Sequence, residues 1–88
     1  MAERLRVRAD ALEWRTVEGE IVALDLRRSL YLAINPSGAA LWPALVEGAS
    51  RDELIERLCA ECEVSRGAAE SDVDAFLSEL ASHDLLED

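Results

Sequence analysis

The chain has 88 residues and a formal net charge of −10, with half of its residues apolar and no lysine. That length allows about one layer of helices on one sheet and leaves little room for a ligand pocket of a few hundred cubic ångströms, which argues against an independent enzyme. The charge comes entirely from residues 36–88, where three arginines face thirteen acids, while residues 1–35 balance six against six, so most of the surface repels a phosphate backbone.

The chain reads as one domain over residues 1–88. No apolar run approaches the roughly 18 residues of a membrane span, and the N-terminus lacks the apolar core of a secretion signal. The expectation is a cytoplasmic protein with no membrane or nucleic-acid partner, in which Cys59 and Cys62 are reduced.

In chain order, residues 1–10 start frayed and become alternating at Leu5-Arg6-Val7-Arg8, a short strand or an arm. Residues 11–17 set Leu12, Trp14 and Thr16 against Glu13 and Arg15, the alternation of a half-buried antiparallel strand. Glu18-Gly19 is a tight turn. A second strand over residues 20–26 has Val22, Leu24 and Leu26 on one face and Ile21, Ala23 and Asp25 on the other. After a bend at Arg27-Arg28-Ser29 comes the third strand, Leu30-Tyr31-Leu32-Ala33-Ile34, with Leu30, Leu32 and Ile34 on one face.

The period then becomes helical. Asn35-Pro36 can cap and open a first helix over 36–46, with Ala40, Leu41, Ala44 and Leu45 in register and Gly48 as its stop. Pro43 should kink or shorten it. Ser50 and Glu53 form a capping box for a second helix carrying Leu54, Ile55, Leu58 and Cys62 on one stripe. A third helix, capped near Ser65, runs to about Ser82 with Ala69, Val73, Phe76, Leu77 and Leu80 at helical spacing. Leu85-Leu86 fold back as an apolar clasp, and Glu87-Asp88 form a solvent tail. The predicted fold is α+β and winged-helix-like: a three-stranded antiparallel sheet followed by three helices. Such a sheet has two edges, each to be covered or used.

Groups suited to catalysis are sparse. Cys59-Ala60-Glu61-Cys62 is a CxxC without further ligands at matching spacing, and its helical register suits small apolar filling better than metal or redox work. His83 reads as a cation at a helix C-terminus or a plain surface residue. Ser37-Gly38 lacks the rest of a phosphate loop. There is no nucleophile–base pair, and Asp72, Asp74 and Glu79 read as spaced surface acids. No cofactor, metal or catalytic residue is expected.

The ordered pattern resembles the PqqD-like family, the precursor-recognition elements of ribosomally made, modified peptides. It consists of Trp14, Val22-Ala23-Leu24-Asp25, Leu30-Tyr31-Leu32-Ala33-Ile34-Asn35, Gly38, Leu41-Trp42, Gly48-Ala49-Ser50, Leu54-Ile55, Leu58, Asp72-Val73, Phe76-Leu77, Leu80 and Leu85-Leu86-Glu87. A free-standing copy is similar to the discrete recognition proteins of lasso-peptide pathways. The resemblance implies that the leader segment of a precursor peptide adds as a strand to the third β-strand, beside the third helix, and is presented to separate modifying enzymes, a leader protease and a cyclase. Carried over, the peptide-binding residues are Leu30, Tyr31, Leu32, Ala33 and Ile34 on the strand, and Asp72, Val73, Phe76, Leu77 and Leu80 on the helix. Phe76 and Leu77 equally fit a pure core role. The departures are Cys62, where an aromatic residue is expected, and Pro43. The competing readings are a winged-helix nucleic-acid binder, against which the acidic helices argue, and a general protein–protein adaptor.

Overall fold

The computed structural model of the chain describes residues 4–87; the expected frayed start at 1–3 and the last tail residue, Asp88, lie outside them. Strands β1 (Leu12–Val17), β2 (Glu20–Asp25) and β3 (Leu30–Ile34) form an antiparallel sheet in the order β1-β2-β3. Helices α1 (Pro36–Glu47), α2 (Arg51–Cys62) and α3 (Arg66–Ser82) follow. Among the described residues, no helix is long and apolar enough to cross a membrane.

Local chemistry sets the boundaries. Glu18 (φ 52°) and Gly19 (φ 83°) both adopt left-handed backbone, the requirement of a two-residue hairpin turn. The Asn35 side chain accepts the Gly38 N–H at 2.8 Å, and Pro36 occupies the first helical position, where its missing N–H costs nothing. Pro43 does not shorten α1, which continues to Glu47 and ends at Gly48 (φ 102°). Ser50 and Ser65 cap α2 and α3, each accepting a backbone N–H at 3.2 Å, from Glu53 and Ala68 respectively.

The core lies between the sheet and the helices and is filled by Ile21, Ala23 and Ile34 from the strands, Leu41, Trp42 and Leu45 from α1, Leu54, Ile55 and Leu58 from α2, and Val73, Phe76 and Leu80 from α3. The buried face of β2 is thus Ile21, Ala23 and Asp25, not the all-apolar alternative of Val22, Leu24 and Leu26; β2 ends before Leu26, which is exposed. Asp25 is only 2 % exposed. It is tolerated because its Oδ1 accepts the Arg27 N–H at 3.0 Å, and the Arg27 and Arg28 guanidinium groups lie 3.5 and 3.9 Å from its carboxylate. On α2 the expected stripe holds at Leu54, Ile55 and Leu58 but not at Cys62. Cys62 is exposed and Cys59 half-buried at the helix end, so the core-filling role expected of Cys62 is corrected.

The N-terminal segment is an arm rather than a fourth strand of the sheet. Leu5 bridges Ala49 and Val7 bridges Leu86, with Val7 and Leu85 fully buried beneath.

Candidate functional site at the β3 edge

The sheet leaves two open edges, and the sequence treats them differently. Strand β1 carries Glu13 and Arg15, charges of the kind that discourage pairing, whereas β3, Leu-Tyr-Leu-Ala-Ile, carries none. The register fixes which β3 residues face outward. The two-residue turn makes Val17 and Glu20 a hydrogen-bonded pair, and alternation does the same for Arg15–Val22 and Glu13–Leu24. Ile21, Ala23 and Asp25 therefore turn their backbone groups toward β3, where they meet Ile34, Leu32 and Leu30. That leaves the N–H and C=O of Tyr31 and Ala33 directed away from the sheet.

Beside this edge runs a cleft between β3 and α3. Its wider part, about 100 Å³, is lined by Asn35, Ser37, Asp72, Ala75, Phe76 and Glu79. Its narrower part, about 50 Å³, is lined by Leu32, Ala33, Ile34, Asn35, Phe76, Glu79, Leu80 and His83. Phe76, Asn35 and Glu79 belong to both parts. One end is fastened by the turn between β2 and β3: Arg28 donates to the His83 carbonyl at 2.6 Å, and Arg27 donates to the Asp84 carbonyl at 2.7 Å and to its carboxylate at 3.2 Å. Arg8 lies 3.3 Å from the same carboxylate. The Arg8 charge, reinforced by Arg27 against the opposing effect of desolvation, holds the Asp84 carboxyl below its ordinary range.

Of the residues expected at a peptide site, Leu32, Ala33, Ile34, Asp72, Phe76 and Leu80 line the cleft together. Leu30 and Tyr31 do not; they are 49 % and 73 % exposed, and the Tyr31 side chain lies on the outer face of the sheet. Val73 is fully buried, and Leu77 packs partly buried against the core, so neither lines the cleft. Sequence reasoning missed Asn35, Ser37, Ala75, Glu79 and His83. On α3 the signal was available as the stripe 72, 75, 76, 79, 80, 83, one helical face, but its small, charged and polar members break the apolar pattern used to find it.

A larger concavity lies elsewhere. About 600 Å³ on the outer side of the sheet is lined by Ala9, Leu12, Glu13, Trp14, Arg15, Val22, Leu24 and Tyr31. Its floor strands pair with each other, and where it reaches the open edge of β1 at Trp14, that edge carries the charges of Glu13 and Arg15. The β3 edge, with both main-chain groups and an apolar wall, is the better-equipped site.

The family described as coenzyme PQQ synthesis protein D (PqqD) matches residues 20–86. Among solved structures, the chain is similar to TbiB1 in complex with the TbiA(beta) leader peptide, at 33 % sequence identity over 93 % of this chain and 94 % of that one, with a TM-score of 0.82. It is also similar to a lasso peptide synthetase B1 complexed with the leader peptide, at 26 % identity over 96 % of this chain and 98 % of that one, with a TM-score of 0.79. No curated protein sequence matches the chain.

Proposed function

This chain belongs to the PqqD family, and from that membership and the open β3 edge we propose that it binds the leader region of a ribosomally made precursor peptide by strand addition. The observation that carries the reading is the pair of outward-facing backbone positions, Tyr31 and Ala33, beside a cleft walled by Phe76 and Leu80. Main-chain bonds to the edge supply affinity that is indifferent to sequence, and alternate peptide side chains entering the cleft supply selectivity. The two similar solved structures contain leader peptides, which supports extending this role to the present chain in lasso-peptide biosynthesis. In this reading residues 1–88 are one non-catalytic cytoplasmic domain that presents the leader to a separate protease and cyclase.

Proline scanning tests the mechanism. Tyr31→Pro and Ala33→Pro each remove an outward N–H, so both variants should fold and bind the leader of a neighbouring-gene precursor poorly. Leu32→Pro deletes a bond to Ala23 within the sheet and should unfold the domain or loosen β3. Bound leader should also slow amide exchange at Tyr31 and Ala33. Normal binding by both folded edge variants, with exchange unchanged, would refute strand addition and favour a general adaptor.

A further inference from the structure

Gly38 occupies the third position of α1, in ordinary helical backbone, so its lack of a side chain is not needed for conformation. It is needed for space. A Cβ placed there would stand 2.7 Å from Ile34 Cγ2 and 2.8 Å from Phe76 Cε1, both closer than real contacts allow. Ile34 is buried within the β3 ladder and has little freedom to retreat. Phe76 is 9 % exposed, and its free side is the cleft, where it lines both the narrow part and the wider one.

We infer that Gly38 is a positioning residue for peptide selectivity: by letting the Phe76 ring seat against α1, it sets the depth of the narrow subsite formed with Leu32 and Leu80. The inference rests on the peptide-binding reading above and adds which side chains the cleft admits. At about 50 Å³ the subsite takes a short aliphatic side chain and excludes an aromatic ring, since benzene fills an engineered cavity of about 150 Å³. Any side chain at position 38 drives the ring outward and makes the subsite shallower. A smaller residue at position 76 makes it deeper.

The test uses a phage-displayed library of short random peptides selected on the whole chain, on Gly38→Ala, on Phe76→Leu and on the double variant. The wild-type chain should enrich peptides with an aliphatic residue at one position. Gly38→Ala should shift that position to Gly or Ala, with affinity for the wild-type choice falling roughly tenfold or more, as expected for misfit of one or two carbon groups. Phe76→Leu should admit larger residues there, and the double variant should return toward the wild-type preference. A purely structural Gly38 would lower stability without moving the preferred residue. Phe76→Leu keeps the question answerable if Gly38→Ala does not fold. Folded variants that all select the same side chain, with affinities within about threefold, would overturn the inference while leaving peptide binding intact. If no peptide selected by the wild-type chain slows amide exchange at Tyr31 and Ala33, the peptide-binding reading itself fails and the inference falls with it.

Discussion

Asp72 and Asp74 lie two residues apart on α3 and have different surroundings. Asp74 accepts two hydrogen bonds from the Arg51 guanidinium, at 2.7 and 2.9 Å, and these hold its carboxyl below the ordinary range. Asp72 is exposed at the wider end of the cleft, and no ion pair engages it among the described residues. A peptide Arg or Lys reaching Asp72 would gain about 0–1 kcal/mol, screened beyond roughly 8 Å at physiological salt. Asp72→Asn should therefore weaken leader binding by no more than about fivefold and flatten its salt dependence, whereas Asp74→Asn should lower the unfolding temperature and leave the salt slope alone. Calorimetric titration at two salt concentrations separates them; if Asp72→Asn changes neither affinity nor slope, this acid is not part of the site. Cys59 and Cys62 should both be replaceable by Ser without loss of leader affinity. No group of three or more His, Cys, Asp or Glu side chains suited to a metal forms among the described residues. Binding that disappears on adding a chelator would contradict that expectation.

At the scale of elements, most of the fold was legible because its signals are local. Asn35-Pro36, Ser50, Ser65 and Gly48 each satisfy or end a helix within a few residues, so their chemistry reads directly from sequence. The hairpin turn at Glu18-Gly19 is local in the same sense. Long-range consequences were not legible. Both faces of β2 look apolar, and the one that became buried includes Asp25, because Arg27 and Arg28 at the following bend can satisfy it there. The cleft stripe on α3 mixes Asp72, Ala75, Phe76, Glu79 and His83, and only the position of β3 across from it makes these residues one surface. The same bend also fastens the far end of α3, since Arg27 and Arg28 hold Asp84 and the His83 carbonyl. Asp84 has φ 56°, a left-handed conformation that Asn also tolerates. Asp84→Asn should thus remove charge without backbone strain, lower the unfolding temperature by a few degrees and speed leader release. Unchanged unfolding and release kinetics would mean that the clasp does not hold the cleft.

For the whole molecule, two electrostatic effects of opposite sign compete as pH falls. The chain carries −10 at pH 7, and the whole of that net charge sits on the helical half, so protonating exposed acids relieves self-repulsion and favours the compact state. Three carboxylates act the other way. Asp25 is pushed up by burial, but the backbone N–H and charge of Arg27 outweigh that push and leave it lowered. Asp74 is lowered chiefly by the hydrogen bonds from Arg51, and Asp84 chiefly by the Arg8 charge. Each has a folded-state value below the ordinary 3.8, so the unfolded chain binds more protons than the folded one near that pH. Their stabilisation is complete above 3.8 and is lost as pH falls through the folded-state values. Relief of repulsion, by contrast, accrues gradually as the net charge falls. The unfolding temperature should hence hold or rise slightly from pH 7 to about 4.5, then fall steeply below about 4. Added salt should lift the neutral arm and shrink the difference between the arms, because it screens the dispersed repulsion before it screens close pairs. Replacing Asp74 by Asn should lower the plateau and make the acid limb shallower, since one of the three proton-linked contacts is already gone. Circular dichroism melts between pH 7 and 3, at low and high salt, measure all of this. A melting temperature that keeps rising down to pH 3 would show that repulsion, not these three paired carboxylates, governs the acid response.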